Sequence, residues 1–163
     1  MTNELKLLPA PVVRLRHVVQ SDLEYFFEHQ CDLVANQLAG MKPQDEDAFN
    51  ARWEKILNAT DLTVRTILAK DMVVGSISTF PVELQVCMGY WIDAKSWGQG
   101  IATEAVRQLL PLVSYRPLFA YVAEHNIGSS RVLQKNGFVE IGRRHSGETD
   151  RYCECTEIIY RLA

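Results

Sequence analysis

Three observations predict a single α/β domain over residues 1–163, built on a mixed, mostly antiparallel sheet with flanking helices. Apolar or alternating runs over 63–69, 72–80 and Gln85–Ile92, separated by turn signals, read as a strand meander. Stretches with apolar residues at helical spacing, such as Phe49, Trp53, Ile56 and Leu57, read as helices laid on that sheet. Twice, an apolar strand passes through a short turn into a helix, at 90–105 and again at 118–138. A chain of 163 residues suits one domain that buries about two thirds of its unfolded surface.

The elements follow in order. An opening strand spans 12–16, and Ser21-Asp22-Leu23-Glu24 forms a capping-box pattern that starts a helix near Asp22, with Leu23, Phe26 and Phe27 inward. A short helix over 32–38 and a loop with Gly40 and Pro43 lead to the helix that carries Phe49 and Trp53. The acidic run Asp45-Glu46-Asp47 reads first as first-turn acids that complement the helix dipole, and second as an attractor of a cationic substrate. Lys70-Asp71 marks a hairpin, and Pro81 is expected to end its strand. The helix from Gly100 sets Ile101, Ala105, Leu109 and Val113 on one face, and Pro111, lacking an N–H, is expected to kink or end it. Asn136-Gly137 closes the next helix. A last hairpin is expected from strands at 139–145 and 151–161 around Ser146-Gly147-Glu148-Thr149-Asp150. No internal repeat or low-complexity segment interrupts this order.

A net charge of −3 argues against nucleic acid as a partner, because phosphate-backbone binding calls for a clustered basic face. No apolar run reaches the length of a membrane span or signal core, so no membrane partner and a cytoplasmic location are expected. Cys31, Cys87, Cys153 and Cys155 have neither zinc-knuckle nor Cys-x-x-Cys spacing and read as reduced thiols. Cys153 and Cys155 alternate along an expected strand, where small apolar packing outweighs metal ligation, and no metal is assigned.

The stretch Tyr90-Trp91-Ile92-Asp93 followed by Trp97-Gly98-Gln99-Gly100-Ile101-Ala102-Thr103 has the form of an anion cradle. Free amides at a helix start carry the positive end of its dipole, and glycines at 98 and 100 let a phosphate approach the backbone. A second segment, Ala123-Glu124-His125-Asn126-Ile127-Gly128-Ser129, follows an apolar strand.

Together, Tyr-Trp-Ile, Trp-Gly-x-Gly-x-Ala-Thr-Glu-Ala, and Asn-x-x-Ser with the later Asn136-Gly137-Phe138 resemble the GNAT superfamily of acetyl-CoA-dependent N-acyltransferases. The similarity is strongest to the branch of ribosomal-protein-alanine N-acetyltransferases, and it runs from the opening strand to Tyr160. It implies a six- to seven-stranded sheet whose strands splay around the pantetheine arm of acetyl-CoA. Backbone at Tyr90, Trp91 and Ile92 would then contact pantetheine, and the 97–103 turn, with amides from Gln99 through Thr103, would receive the pyrophosphate. Asn126 matches the asparagine that binds the arm, and Ser129 the hydroxyl that protonates the departing thiolate. Both also suit a plain helix start, Asn126 as N-cap and Ser129 as a first-turn residue.

The branch's usual general-base Glu is replaced by Cys87, and a thiol with a pKa of about 8.5 does not simply substitute for a carboxylate. Glu148, in the final turn, is the first substitute. Glu83 follows, an even step from Cys87 along the strand, and then His125 as a proton shuttle. Direct attack in a ternary complex is the expected mechanism, with a covalent acetyl-Cys87 as its rival. The acceptor is either a protein N-terminal α-amine or a small amine such as a polyamine or aminoglycoside. An α-amine titrates near 8 against about 10.4 for lysine, which favours it where the base is weak. A non-catalytic acyl-CoA-binding sensor is the alternative outside enzymes, and either a monomer or a homodimer fits.

Overall fold

The computed structural model describes residues 9–163. Its sheet has seven strands, β1 (Val13–Arg16), β2 (Val64–Ala69), β3 (Met72–Val82), β4 (Gln85–Ile92), β5 (Leu118–Ala123), β6 (Val139–Ser146) and β7 (Cys155–Leu162). They lie in the order β1-β2-β3-β4-β5-β7-β6, and every neighbouring pair is antiparallel except β4 with β5. Five helices cover it, α1 (Asp22–Gln30), α2 (Leu33–Ala39), α3 (Glu46–Asn58), α4 (Ile101–Leu109) and α5 (Ile127–Lys135).

Two apolar clusters occupy opposite faces of the sheet. The larger joins Ile101, Ala105 and Leu109 of α4 and Leu133 of α5 to Ile67, Val74 and Tyr160; the smaller joins Phe26 of α1 to Phe49 and Trp53 of α3. Val73 packs against the smaller cluster and Val74 belongs to the larger, as the alternation of a strand requires. The helical face anticipated for α4 is buried throughout, and the helix ends at Leu109, where Pro111 turns the chain into a 3-10 segment. Among the described residues no helix is long and apolar enough to cross a membrane.

α1 starts at Asp22 as expected, but its cap and two strand boundaries differ from expectation. Ser21 makes no cap bond. Asp22 does the anchoring instead, accepting from Arg16 at 2.6 and 2.8 Å, from the Thr66 hydroxyl at 2.6 Å and from the Val19 amide at 3.0 Å. Pro81 does not end β3: the Thr79 amide donates to Thr63 on the β2 side, so the Pro81 nitrogen, two residues on, faces past the end of β2, where no bond is needed. Finally, β7 begins at Cys155 rather than at 151. Residues 151–153 pair with the loop after α2 instead, through Lys42 N–H to Arg151 O and Cys153 N–H to Gly40 O. Cys153 therefore precedes the strand on which it was expected to alternate with Cys155, and all four cysteines are free thiols.

Asp22 ties α1 to β1 and β2, and it yields a pH prediction. Burial alone would raise its carboxyl, but the Arg16, Thr66 and Val19 hydrogen bonds overcome that and hold it below the usual carboxylate range. A lowered folded pKa contributes stability above the unfolded value of about 3.9, and that contribution fades as pH falls through the folded pKa. Asp22→Ala should cost about 2–3 kcal/mol at neutral pH and flatten the acid limb of stability against pH, measured by urea unfolding.

Candidate active site

β4 and β5 run parallel but pair only at Val86↔Leu118 and Cys87↔Phe119. Beyond that point they part, each keeping its other neighbour: β3 on one side, β7 on the other. The facing edges of 88–92 and 120–123 are left without strand partners, which opens a notch in the sheet with bare main-chain groups along it. Gly75 lets β3 pass close behind, since a Cβ there would lie 2.0 Å from the Trp91 carbonyl oxygen. The indoles fix the notch from both sides. Trp91 Nε1 donates to His29 O on α1 at 3.2 Å, and Trp97 Nε1 donates to Ile92 O at 2.9 Å.

At one end of the notch the chain turns into α4. Gly98 and Gly100 take φ of +73° and +77°, conformations that favour glycine, and a Cβ added at either would meet nothing within 4 Å. Among the described residues, the amides of 98–103 donate to no protein group, while Glu104 N–H closes the first helical bond on Gly100 O. These free donors sit at the positive end of α4 beside open space, as a pyrophosphate requires. The residues assigned to the cofactor from sequence line one groove of about 540 Å³, with Gln99 the exception on the exposed turn. Arg131 and Lys135 line the same groove. The sequence reading missed them, although their four-residue spacing places both cations on one face of α5.

Asn126 and Ser129 belong to the start of α5. The Asn126 carboxamide accepts the Ser129 amide at 3.2 Å, so the capping role is real, and both side chains also line the groove. The Tyr90 hydroxyl donates to Ser129 Oγ at 3.0 Å. Burial pushes the Tyr90 phenol up to about 12, partly offset by Ser129, so it stays protonated at neutral pH. This hydroxyl pair was not expected, because the sequence reading used only the Tyr90 backbone.

A larger cleft of about 840 Å³ lies beyond the notch, bounded by α1, α3 and the loops before β7. The groove and the cleft share Tyr90, Trp91, Asn126 and Ser129, so the two spaces meet where the strands part.

The expected bases fare differently. Cys87 is fully buried, lines neither space, and burial pushes its thiol up to about 11. It has little thiolate to offer at neutral pH, which argues against both its base and its nucleophile roles. Glu148 is not among the residues that line the cleft, although Gly147 and Thr149 are, and it pairs with Lys42, which holds its carboxyl below the usual range. Glu83 sits in the hairpin turn at φ +53°, not on the strand, which voids the same-face argument. His125 lies at the groove, its Nε2 2.8 Å from Gln37 O.

The carboxylate that does line the cleft is Glu157 of β7, opposite Ala123, which accepts from Arg144 Nε at 2.9 Å and Ser146 Oγ at 2.5 Å. It escaped notice because only the sheet order brings β7 against the open end of β5.

The model of the acetyltransferase (GNAT) domain matches residues 13–139. A probable N-acetyltransferase, YjcK of Bacillus subtilis (strain 168), is 36% identical over 80 residues, which are 44% of this chain and 44% of that one. The chain thus aligns with under half the length of that curated relative. Among solved structures, the ribosomal-protein-alanine N-acetyltransferase from Brucella melitensis superposes with a TM-score of 0.77 at 20% identity, covering 91% of this chain and 98% of that one. The spermidine N-acetyltransferase from Vibrio cholerae, solved with CoA and spermine, gives 0.77 at 14% identity, covering 91% and 94%. At those identities the likeness is one of fold. Because the family model spans most of the chain, the chain belongs to the acetyltransferase (GNAT) domain family.

Proposed function

We propose that the chain transfers the acetyl group of acetyl-CoA to a primary amine, a protein N-terminal α-amine, by direct attack. The observation that carries this reading is the junction of groove and cleft at Tyr90 and Ser129. Acetyl-CoA, when bound, supplies an acyl group already activated as a thioester. The chain's own work is then to position two substrates and manage protons, and alignment alone contributes roughly 7–11 kcal/mol in favourable model reactions. The free amides of 98–103, Arg131 and Lys135 suit the phosphates, and the bare edge of β4 suits an amide-bearing arm. Because Ser129 Oγ accepts from Tyr90, its own hydrogen is left to face the groove; Ser129 gives that hydrogen to the departing thiolate, Tyr90 replaces it, and the proton shed by the attacking amine returns through cleft water to restore the Tyr90 hydroxyl.

The amine side supports an α-amine. Glu157, the carboxylate of the cleft, has its Oε2 already occupied by Arg144 Nε and Ser146 Oγ, which leaves it less acceptor capacity for the proton of an incoming amine. An α-amine, titrating near 8, is already partly neutral at physiological pH, whereas a lysine or polyamine needs a stronger base.

A thioester-consumption screen tests the reading. Peptides with free N-termini should consume acetyl-CoA, and the same peptides with blocked N-termini, lysine-bearing ones included, should not. Preferential use of spermine or an aminoglycoside would overturn the α-amine assignment. Silence across all amines, with acetyl-CoA still stabilising the protein, would make the domain an acyl-CoA sensor.

A further inference from the structure

The cleft carries more positive charge than it can neutralise. Lys42, Arg52, Arg144 and Arg151 line it, against the single carboxylate Glu157 among its described lining residues. Lys42 is paired with Glu148 and Arg144 with Glu157. Arg52 and Arg151 have no carboxylate partner among the described residues. The Arg151 guanidinium donates, among the described residues, only to the neutral Gln44 Oε1, at 2.5 Å. The Arg52 side chain makes no hydrogen bond among the described residues: its Nε is buried without a partner, and its guanidinium carbon lies 5.7 Å from the Trp53 ring and 6.0 Å from the Phe49 ring. The Trp53 indole nitrogen, next to it on α3 and lining the same cleft, is likewise buried and unpartnered. Guanidinium groups are donors only, so what this wall lacks is a charged acceptor for Arg52 and Arg151.

Leaving such groups unpaired is costly, and native proteins rarely do it without a reason. Burial, and then the charge of Arg151, pull the Arg52 guanidinium down to about 10, so it remains protonated at neutral pH. Arg52 from α3 and Arg151 from the loop before β7 line the same cleft, and guanidiniums are the side chains suited to hold a carboxylate. They would also repel a second ammonium group on the acceptor.

Resting on the acetyl-transfer reading above, we infer that the acceptor amine carries a carboxylate, which Arg52 and Arg151 bind. The carboxylate belongs either to an acidic side chain close to a peptide N-terminus or to the C-terminus of a very short peptide. Polyamines are excluded by the same charges.

Matched C-terminally amidated peptides with a free N-terminus and Glu, Gln or Lys at the second position test this, together with a neutral dipeptide bearing a free or an amidated C-terminus. kcat/KM should favour Glu over Gln by about ten-fold or more, chiefly through KM, with Lys poorer still; a terminal-carboxylate source shows the same preference in the dipeptide pair. In Arg52→Gln, and independently in Arg151→Gln, the preference should fall towards one, and Arg52→Lys should restore only part of it. Thermal melts of each variant report folding, and the loop variant keeps the test alive if Arg52→Gln does not fold. Equal use of charged and neutral acceptors by the parent protein overturns the inference while leaving acetyl transfer standing. Should no amine be consumed, the reading above fails instead, and equilibrium binding of the same peptides to the CoA-loaded protein still decides the carboxylate: a preference for Glu that Arg52→Gln removes supports it, and equal binding overturns it.

Discussion

Gly100→Asp should abolish the thermal stabilisation that acetyl-CoA gives the parent protein, while the variant remains folded. The position takes a left-handed φ of +77° that an aspartate tolerates at a cost of about 1–2 kcal/mol, and a Cβ there meets nothing within 4 Å. The fold therefore has no steric reason to fail. What changes is the cradle, since a carboxylate is placed among the free amides of 98–103 and competes with a pyrophosphate for the same donors and the same end of the α4 dipole. At a ligand concentration 100 times Kd the parent gains about 2.7 kcal/mol, which a melt resolves readily. An unchanged shift in the variant would remove the phosphates from this turn.

Tyr90→Phe and Ser129→Ala should each lower kcat on the order of 10²-fold and leave the KM for acetyl-CoA near that of the parent. The two hydroxyls are linked at 3.0 Å, so the double variant should be little worse than either single one, as expected of groups that act as a unit. The same structure separates catalysis from capping. The α5 cap runs from the Ser129 backbone amide to the Asn126 side chain, so Ser129→Ala keeps it, whereas Asn126→Ala loses it and about 1 kcal/mol with it. Equal small losses in all three variants, matched by lower melting temperatures, would assign these residues to structure alone. With Tyr90 pushed up to about 12, the parent should not lose activity through this group as pH rises from neutral into the mildly alkaline range.

The parts of this molecule legible in its sequence are those set by short-range chemistry. The face of α4, its end before Pro111, the left-handed Gly137 after α5 and the Lys70-Asp71 hairpin all follow from periodicity or from a single residue's backbone limits. That the residues assigned to the cofactor, Gln99 apart, line one groove follows for the same reason, because the turn and both helix starts are contiguous segments. What escaped depends on partners distant in sequence. Residues 151–153 alternate like a strand, yet their hydrogen bonds go to the loop after α2, and this displaces the start of β7. Cys87 looked like a substituted base until β5 was placed beside β4, which buries the thiol. The unpaired donors of the cleft are invisible in sequence, since Arg52 looks like any cation on an amphipathic helix; only the folded chain shows that no acid among the described residues comes to meet it.

Single-turnover mixing of the protein with acetyl-CoA, with and without a free-N-terminus peptide, tests the central claim of direct transfer across the junction at Tyr90 and Ser129. Free CoA should appear only when peptide is present, the acetyl group should be found on the peptide N-terminus, and the intact mass of the protein should not change; Cys87→Ala should behave as the parent does. A burst of CoA without peptide, accompanied by an acetylated Cys87 that disappears when peptide is added, would contradict direct transfer and make the buried thiol the nucleophile.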